Sequence, residues 1–203
     1  MIKSLIFDFG DVFINLDKQG AMENALKLFQ LESFENDMLE ANLKFETGNI
    51  NTSQFIKFYK SKFPYLSKKD IVNAWNHILK DFPKYRLEFI IALSNQSNYK
   101  LVLLSNTNEL HIEHIRQHFN FYEDFKNCFD QFYLSHEIQL RKPEKEIFEF
   151  VLTQNNLIPD ECLFIDDTKE NTDTAKAMGF HIWTIDETKE DITSLFEINK
   201  ELF

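Results

Sequence analysis

The sequence predicts an α/β protein, and three observations lead to this prediction. Four short apolar runs lack the strict polar–apolar alternation of a half-exposed strand, which is typical of strands covered on both faces. Helix-like stretches separate most of these runs, as in a sheet built from strand–helix–strand units. One long interval between the first two runs contains only helix-like segments. We therefore expect a Rossmann-like parallel sheet core with an inserted small all-helical subdomain.

The apolar runs give the strands in chain order. They are residues 4–8 (SLIFD), 100–105 (KLVLLS), 162–166 (CLFID) and 181–185 (HIWTI), with 131–135 (QFYLS) as a weaker fifth candidate. Helices are expected over residues 86–96, 143–155 and 171–180. Pro143 suits the first turn of a helix, and Gly179 suits a helix end.

The interval between the first two strands is too long for an ordinary crossover, which needs only about a dozen residues. Within it, residues 21–31, 53–63 and 70–82 have the apolar spacing of helices. We therefore divide the chain into a core of residues 1–15 and 83–203 and a helical insert of residues 16–82.

Composition excludes several classes of function. The 203 residues have a formal net charge of −11, which disfavours nucleic acid and anionic membranes as partners. No apolar run approaches the roughly 18 residues of a membrane span, and no signal peptide is evident. Cys128 and Cys162 are far apart without a metal-binding spacing, so we expect reduced thiols and a cytoplasmic location. The sequence does not indicate an oligomeric state.

Reactive side chains follow the predicted strands and lie where parallel α/β sheets bind ligands, beyond the carboxyl ends of the strands. A carboxylate ends the first strand, a hydroxyl and amides follow the second, a cation precedes a later helix, and a carboxylate pair ends the fourth. In that order they are Asp8, Ser105 with Asn106, Lys142, and Asp166 with Asp167.

This order of motifs resembles the haloacid dehalogenase-like (HAD) hydrolase superfamily across the whole chain, and the helical insert resembles that family's cap domain. Residues 105–111 (SNTNELH) and 140–148 (LRKPEKEIF) look most like the sugar-phosphate phosphatases related to bacterial α-glucose-1-phosphate phosphatase. Residues 45–55 (FETGNINTSQF) resemble a cap segment of that group. The resemblance implies a Mg²⁺-dependent phosphatase of a small phosphomonoester, expected to be a sugar phosphate.

The resemblance also implies a role for each motif. Asp8 would attack phosphorus and form an aspartyl-phosphate that water then hydrolyses. Mg²⁺ would bind Asp8, Asp166 and the backbone carbonyl of Gly10. Lys142 would neutralise the phosphoryl group, which Ser105 and the backbone amide of Asn106 would hold. Asp11 and Asp167 would lie beside the metal ligands without binding the metal.

The sequence departs from the family at Gly10, where most phosphatases of the superfamily have a second aspartate that protonates the leaving group. Loss of a general acid typically costs about 10²–10⁴ in rate. Three interpretations remain open. The leaving group could need little protonation, as the anomeric oxygen of a sugar 1-phosphate does, and the subgroup members also have glycine here. Asp11 could substitute, or the site could bind without turnover.

Two other functions therefore stay open at this point. One is a non-catalytic binding or regulatory protein with the HAD fold, which Gly10 favours. The other is a 2-haloacid dehalogenase, which also lacks the second aspartate but needs no metal, whereas the Asp166–Asp167 pair suggests a cation. His111, His114 and His118 share one face of a possible helix. We favour an ordinary helix face over a zinc site, although His111 could reach the substrate.

Overall fold

The computed structural model describes residues 1–203 and contains a five-stranded parallel sheet with the strand order β3-β2-β1-β4-β5. The strands are β1 (Ser4–Phe7), β2 (Lys100–Ser105), β3 (Gln131–Leu134), β4 (Cys162–Asp166) and β5 (His181–Thr184). Every neighbouring pair is parallel, so all five carboxyl ends lie along one edge. The predicted α/β fold class is confirmed, and the weak candidate at 131–135 is a strand.

Eleven helices accompany the sheet. Four lie between β1 and β2: α1 (Lys18–Phe29), α2 (Asn36–Glu46), α3 (Thr52–Lys62) and α4 (Lys68–Asn76). The others are α5 (Lys84–Gln96), α6 (Glu109–His118), α7 (Tyr122–Lys126), α8 (Ser135–Ile138), α9 (Lys145–Asn155), α10 (Lys169–Ala177) and α11 (Leu195–Ile198). No helix is long and apolar enough to cross a membrane.

The three central strands, β1, β2 and β4, are buried on both faces, which explains why their sequences do not alternate. In β1, Leu5 and Phe7 belong to the apolar cluster under α5, α6 and α7, whereas Ile6 belongs to the cluster under α9 and α10. Successive strand side chains point to opposite faces, so each strand contributes to both clusters. Helices on both faces hold the sheet edge, and therefore the residues that follow each strand, in a fixed position.

Helices α1–α4 lie within the range predicted as the helical insert, and they have an apolar cluster of their own. Reciprocal capping bonds fix the starts of α3 and α4: Asn51 pairs with Gln54, and Ser67 pairs with Asp70. The assignment of residues 16–82 as a separate subdomain remains our prediction.

Two details of the sequence prediction are wrong. Residues 70–82 are not one helix, because α4 ends at Asn76 and the following residues form backbone hydrogen bonds with residues 15–17. Pro143 is not in the first turn of α9, which begins at Lys145. It lies in the preceding turn, where the amide of Glu144 donates to the carbonyl of Arg141.

The loop between α2 and α3 packs tightly against the core at Gly48. Its φ is +68°, and a Cβ added there would lie 2.0 Å from the carbonyl oxygen of His136. Both the left-handed backbone and the lack of space therefore require glycine.

We predict that Gly48→Ala lowers the free energy of unfolding by about 2–5 kcal/mol, because it adds a backbone clash to left-handed strain. Gly179→Ala is the matched control: its φ is +92°, but the nearest atom to its added Cβ is 3.6 Å away. That control should lose only about 1–2 kcal/mol. Urea unfolding measures both, and equal losses would contradict the packing argument.

Candidate active site

Three neighbouring strands deliver the predicted site residues to one place. β1 is hydrogen-bonded to both β2 and β4, and these strands lead to Asp8, Ser105 and Asp166 at the same edge. Lys142 enters from the loop before α9 and reaches Asp8 and Asp166. The structure thus brings together side chains that are more than a hundred residues apart in sequence.

The ammonium of Lys142 is the centre of the site. Its side chain is 1% exposed, and its Nζ lies 2.7 Å from Asp8 Oδ1 and 2.6 Å from Asp166 Oδ2. Burial alone would lower the pKa of Lys142, but the two carboxylates outweigh it and hold the pKa above its ordinary value. Lys142 therefore stays charged. Removing one partner from such a buried pair typically costs about 3–5 kcal/mol.

Asp166 is held from several directions. Its Oδ1 accepts hydrogen bonds from the Thr168 amide at 2.8 Å and from Asn171 Nδ2 at 3.0 Å. Its Oδ2 also lies 3.0 Å from Asn171 Nδ2. These donors leave the carboxylate little freedom to rotate, so it presents a fixed negative charge to Lys142.

Asp8 is a buried carboxyl group whose proton is held more tightly than usual. Burial raises its pKa to about 7; Lys142 opposes this shift, and the charges of Asp166 and Asp167 add to it. One oxygen from each of these three aspartates lies within 4.8 Å of the others. A cation at this position would favour the ionised form of Asp8.

The residues present fit Mg²⁺, which prefers oxygen ligands and usually takes one or two protein carboxylates. Asp8 and Asp166 supply carboxylates, and the carbonyl oxygen of Gly10 accepts no hydrogen bond from the protein. Asp167, which we expected only beside the ligands, is also within reach of a shared ion. The structure thus groups all the predicted ligands and adds one candidate.

The same edge has several unused hydrogen-bond donors. The backbone N–H groups of Phe9, Gly10 and Asn106 donate to no protein acceptor. The Ser105 hydroxyl makes no hydrogen bond either, and it is not among the buried unpaired atoms. The Asn106 side chain instead forms a reciprocal pair with the Lys142 backbone, at 2.8 and 2.9 Å. Unpaired donors beside a carboxylate and an ammonium suit the oxygens of a phosphoryl group. The amides of Phe9 and Gly10 are absent from our sequence-based site.

Asp11 is occupied elsewhere. Its Oδ1 accepts from the Leu16 amide at 2.8 Å, and its Oδ2 pairs with Lys18 at 2.8 Å. Lys18 also pairs with Asp167. This arrangement joins the start of α1 to the acidic cluster, and it leaves no support for Asp11 as a replacement for the missing acid.

A side chain at Gly10 would meet Leu16. A Cβ added there would lie 2.7 Å from Cδ1 of Leu16, the end of a flexible side chain, so a larger residue would require Leu16 to shift. Glycine lets the Leu16 side chain approach the backbone at this position.

A cavity of about 410 Å³ adjoins this cluster, between the sheet edge and the helical insert. Gly10, Ser105 and Asn106 of the sheet edge line it, together with four residues of α2 and with core residues that include His111 and Arg141. This volume lies within the range of small-molecule sites. The cavity is therefore the candidate substrate pocket.

His111 lines the cavity, but both of its ring nitrogens have partners. Burial lowers the pKa of His111 to about 4, so the ring is neutral at pH 7. Its Nε2 donates to the Trp75 carbonyl at 3.1 Å, and its Nδ1 accepts from Asn108 Nδ2 at 3.1 Å. His111 therefore joins α6 to α4. His114 and His118 stack on each other along α6, and their ring centroids are 3.9 Å apart.

Sequence reasoning did not identify Lys18, Asn171 or Ser135 as part of the site. The Ser135 hydroxyl accepts from the Thr107 amide at 2.9 Å and lies 2.7 Å from the carbonyl oxygen of Glu46. Only Asn171 had a usable signal, since it follows Asp166 by five residues at the start of the next helix. The other two act through contacts between distant segments.

Comparison with known proteins identifies a family. The sequence model of the haloacid dehalogenase-like hydrolases matches residues 2–179. The chain is 28% identical over 189 residues to the D-ribitol-5-phosphate phosphatase of Bacteroides thetaiotaomicron, covering 89% of this chain and 90% of that protein.

Solved structures agree over nearly the full length. The wild-type HAD-family enzyme of Bacteroides thetaiotaomicron, in complex with magnesium and inorganic phosphate, is 33% identical with a TM-score of 0.81. The match covers 97% of this chain and 100% of that one. A HAD-like family hydrolase from Porphyromonas gingivalis is 25% identical with a TM-score of 0.80, covering 98% of each chain.

The raised pKa of Asp8 generates a stability prediction for the protein in EDTA. Between about pH 4 and pH 7 the folded protein keeps a proton that the unfolded chain loses, so the free energy of unfolding falls as pH rises through this window. The full decrease is at most about 4 kcal/mol. Asp8→Asn should remove it, as measured by urea unfolding from about pH 5 to about pH 8.

The exposed Asp173, on α10, supplies the control for that experiment. Asp173→Asn should keep the wild-type pH dependence. In the wild-type protein, saturating Mg²⁺ should reduce the decrease in the free energy of unfolding with rising pH, because the cation stabilises ionised Asp8. Identical pH profiles for wild type and Asp8→Asn would contradict the assigned environment of Asp8.

Proposed function

Because the chain belongs to the haloacid dehalogenase-like hydrolase family, we propose that it is a Mg²⁺-dependent phosphatase acting through a phospho-Asp8 intermediate. The observation that carries this proposal is the contact of one buried ammonium with two strand-end carboxylates. Lys142 lies 2.7 Å from Asp8 and 2.6 Å from Asp166, beside the unpaired donors of the sheet edge. This arrangement supplies a nucleophile, positive charge and oxygen-binding groups together.

The reaction assigns a task to each group. A carboxylate oxygen of Asp8 bonds to phosphorus while the bond to the leaving-group oxygen breaks; water then attacks phosphorus, releasing inorganic phosphate and restoring Asp8. Lys142 offsets charge on the transferring group, while Ser105 and the Asn106 amide hold its oxygens. Bound Mg²⁺ would supply further neutralisation of the carboxylates and the phosphate.

The substrate we propose is a small sugar phosphate or sugar-alcohol phosphate. The similarity to a D-ribitol-5-phosphate phosphatase over 89% of the chain supports this class. Gly10 favours a leaving group that needs little protonation, such as the anomeric oxygen of a sugar 1-phosphate. With both cysteines free and buried, and a net charge of −11, we propose a cytoplasmic enzyme without a nucleic-acid partner.

Phosphate release tests the proposal directly. The substrates are D-ribitol 5-phosphate, α-glucose 1-phosphate and p-nitrophenyl phosphate, each with Mg²⁺ and with EDTA. We expect release only with Mg²⁺, and a loss of at least about 10³-fold in Asp8→Asn, since the nucleophile is removed. Thermal unfolding and circular dichroism confirm that the variant is folded.

The outcomes separate the candidate functions. Release in EDTA, or full activity of Asp8→Asn, would contradict the mechanism. No release from any substrate by a folded protein that binds Mg²⁺ would favour the binding-protein alternative that Gly10 suggests. Halide release from 2-haloacids without metal would instead identify a dehalogenase.

A further inference from the structure

We propose that Glu46 and Arg141 form the subsite that recognises hydroxyl groups on the substrate's leaving group, and that they select a neutral polyol phosphate. This inference rests on the proposed phosphatase function and deepens it. Glu46 ends α2 in the helical insert, and Arg141 directly precedes Lys142 in the core. Arg141 Nε donates to Glu46 Oε1 at 2.8 Å, so the pair connects the insert to the core.

Both residues line the same cavity as Gly10, Ser105 and Asn106. A phosphomonoester with its phosphoryl group at the sheet edge therefore has its leaving group in the space that Glu46 and Arg141 border. Glu46 is the only acidic residue lining this cavity. No other carboxylate is available there to accept hydrogen bonds from a substrate.

The pair has unused hydrogen-bonding capacity. Glu46 Oε2 and the two terminal nitrogens of Arg141 make no hydrogen bond within the protein. They are also not among the buried atoms, so a ligand can reach them. An accessible carboxylate oxygen accepts hydroxyl hydrogens, and accessible guanidinium N–H groups donate to hydroxyl oxygens. Together they suit a leaving group with adjacent hydroxyls.

The net charge of the Glu46–Arg141 pair indicates which class of leaving group it binds. One negative and one positive group in contact leave the subsite neutral, so a leaving group with its own charge would disturb an existing ion pair. Neutral hydroxyls can bind both partners and leave their contact intact. We therefore favour a polyol over an amine or a second carboxylate.

The rest of α2 fits the carbon chain of such a ligand. Leu39, Asn42, Leu43 and Glu46 all line the cavity, and their spacing places them on one helix face. Asn42 Oδ1 accepts from the buried Tyr59 hydroxyl at 2.6 Å, which leaves the Asn42 amide nitrogen as a further donor. The two leucines provide apolar contacts for C–H groups.

Glu46 is held in place independently of its side chain. The buried Ser135 hydroxyl lies 2.7 Å from its carbonyl oxygen, and Gly48 packs against the His136 carbonyl two residues later. These contacts fix the backbone of Glu46, and the bond from Arg141 orients its carboxylate before the substrate arrives, which limits the entropy lost on binding.

The first test compares two substrates in Glu46→Gln, a variant of the same shape without the charge. Relative to wild type, kcat/KM for D-ribitol 5-phosphate should fall roughly 10- to 100-fold, since hydrogen bonds to a charged group are lost. For p-nitrophenyl phosphate, whose leaving group has no hydroxyl, it should change less than about 3-fold. Equal losses for both substrates would assign Glu46 to insert closure and overturn the proposal.

Glu40→Gln is the matched control, because Glu40 lies on the same helix, is exposed, and pairs only with Lys44. Glu40→Gln should leave kcat/KM unchanged for both substrates. A loss of ribitol-phosphate activity in this control as large as in Glu46→Gln would show that helix charge, rather than the subsite, sets the preference, and would overturn the proposal.

A binding measurement separates this inference from the proposed function. Calorimetry with Mg²⁺ compares D-ribitol 5-phosphate and inorganic phosphate on Asp8→Asn, with and without Glu46→Gln. We expect Glu46→Gln to weaken only the polyol phosphate, again roughly 10- to 100-fold. Glu46-dependent binding by a protein without phosphatase activity would contradict only the proposed function. If Glu46→Gln leaves the affinity for D-ribitol 5-phosphate unchanged, the subsite proposal is wrong. This holds even if turnover depends on Mg²⁺ and Asp8.

Discussion

The buried contact of Lys142 with Asp8 and Asp166 is the interaction on which the rest of the site depends. It joins the ends of two neighbouring strands to the loop before α9. Isolated charges are costly to bury, so the donors around Asp166 and the Asn106 bonds to the Lys142 backbone are needed to hold the geometry. Burial is the main cause of the raised pKa of Asp8, with smaller contributions from Asp166 and Asp167, and a cation beside the three carboxylates would favour the ionised form.

The sheet and the strand-end residues were predictable because each depends on local sequence. Buried strands read as short apolar runs, and parallel strands carry the residues that follow them to one edge. The helix α2 was not predicted, and residues 77–82 pair with the chain entering the insert rather than extending α4. Contacts between distant segments, such as Lys18 with Asp167 and Glu46 with Arg141, leave no local pattern in a single sequence.

The missing aspartate illustrates the same limit. The sequence reveals Gly10, but not that Leu16 fills the space beside it or that Asp11 is bound to Leu16 and Lys18. These contacts explain why the neighbouring acid does not replace the lost one. They also direct attention to the chemistry of the leaving group, since neither Gly10 nor Asp11 offers it a free carboxyl group.

The most direct test of the central claim is chemical trapping of phosphorylated Asp8. The protein is mixed with Mg²⁺ and substrate, quenched in acid, and treated with borohydride, which reduces an acyl phosphate to an alcohol. We predict that mass spectrometry finds homoserine at residue 8, and only when both Mg²⁺ and substrate were present. Trapping at another residue would contradict the role of Asp8 as nucleophile. So would the absence of homoserine at residue 8 in an active enzyme whose hydrolysis of the intermediate is slower than its formation.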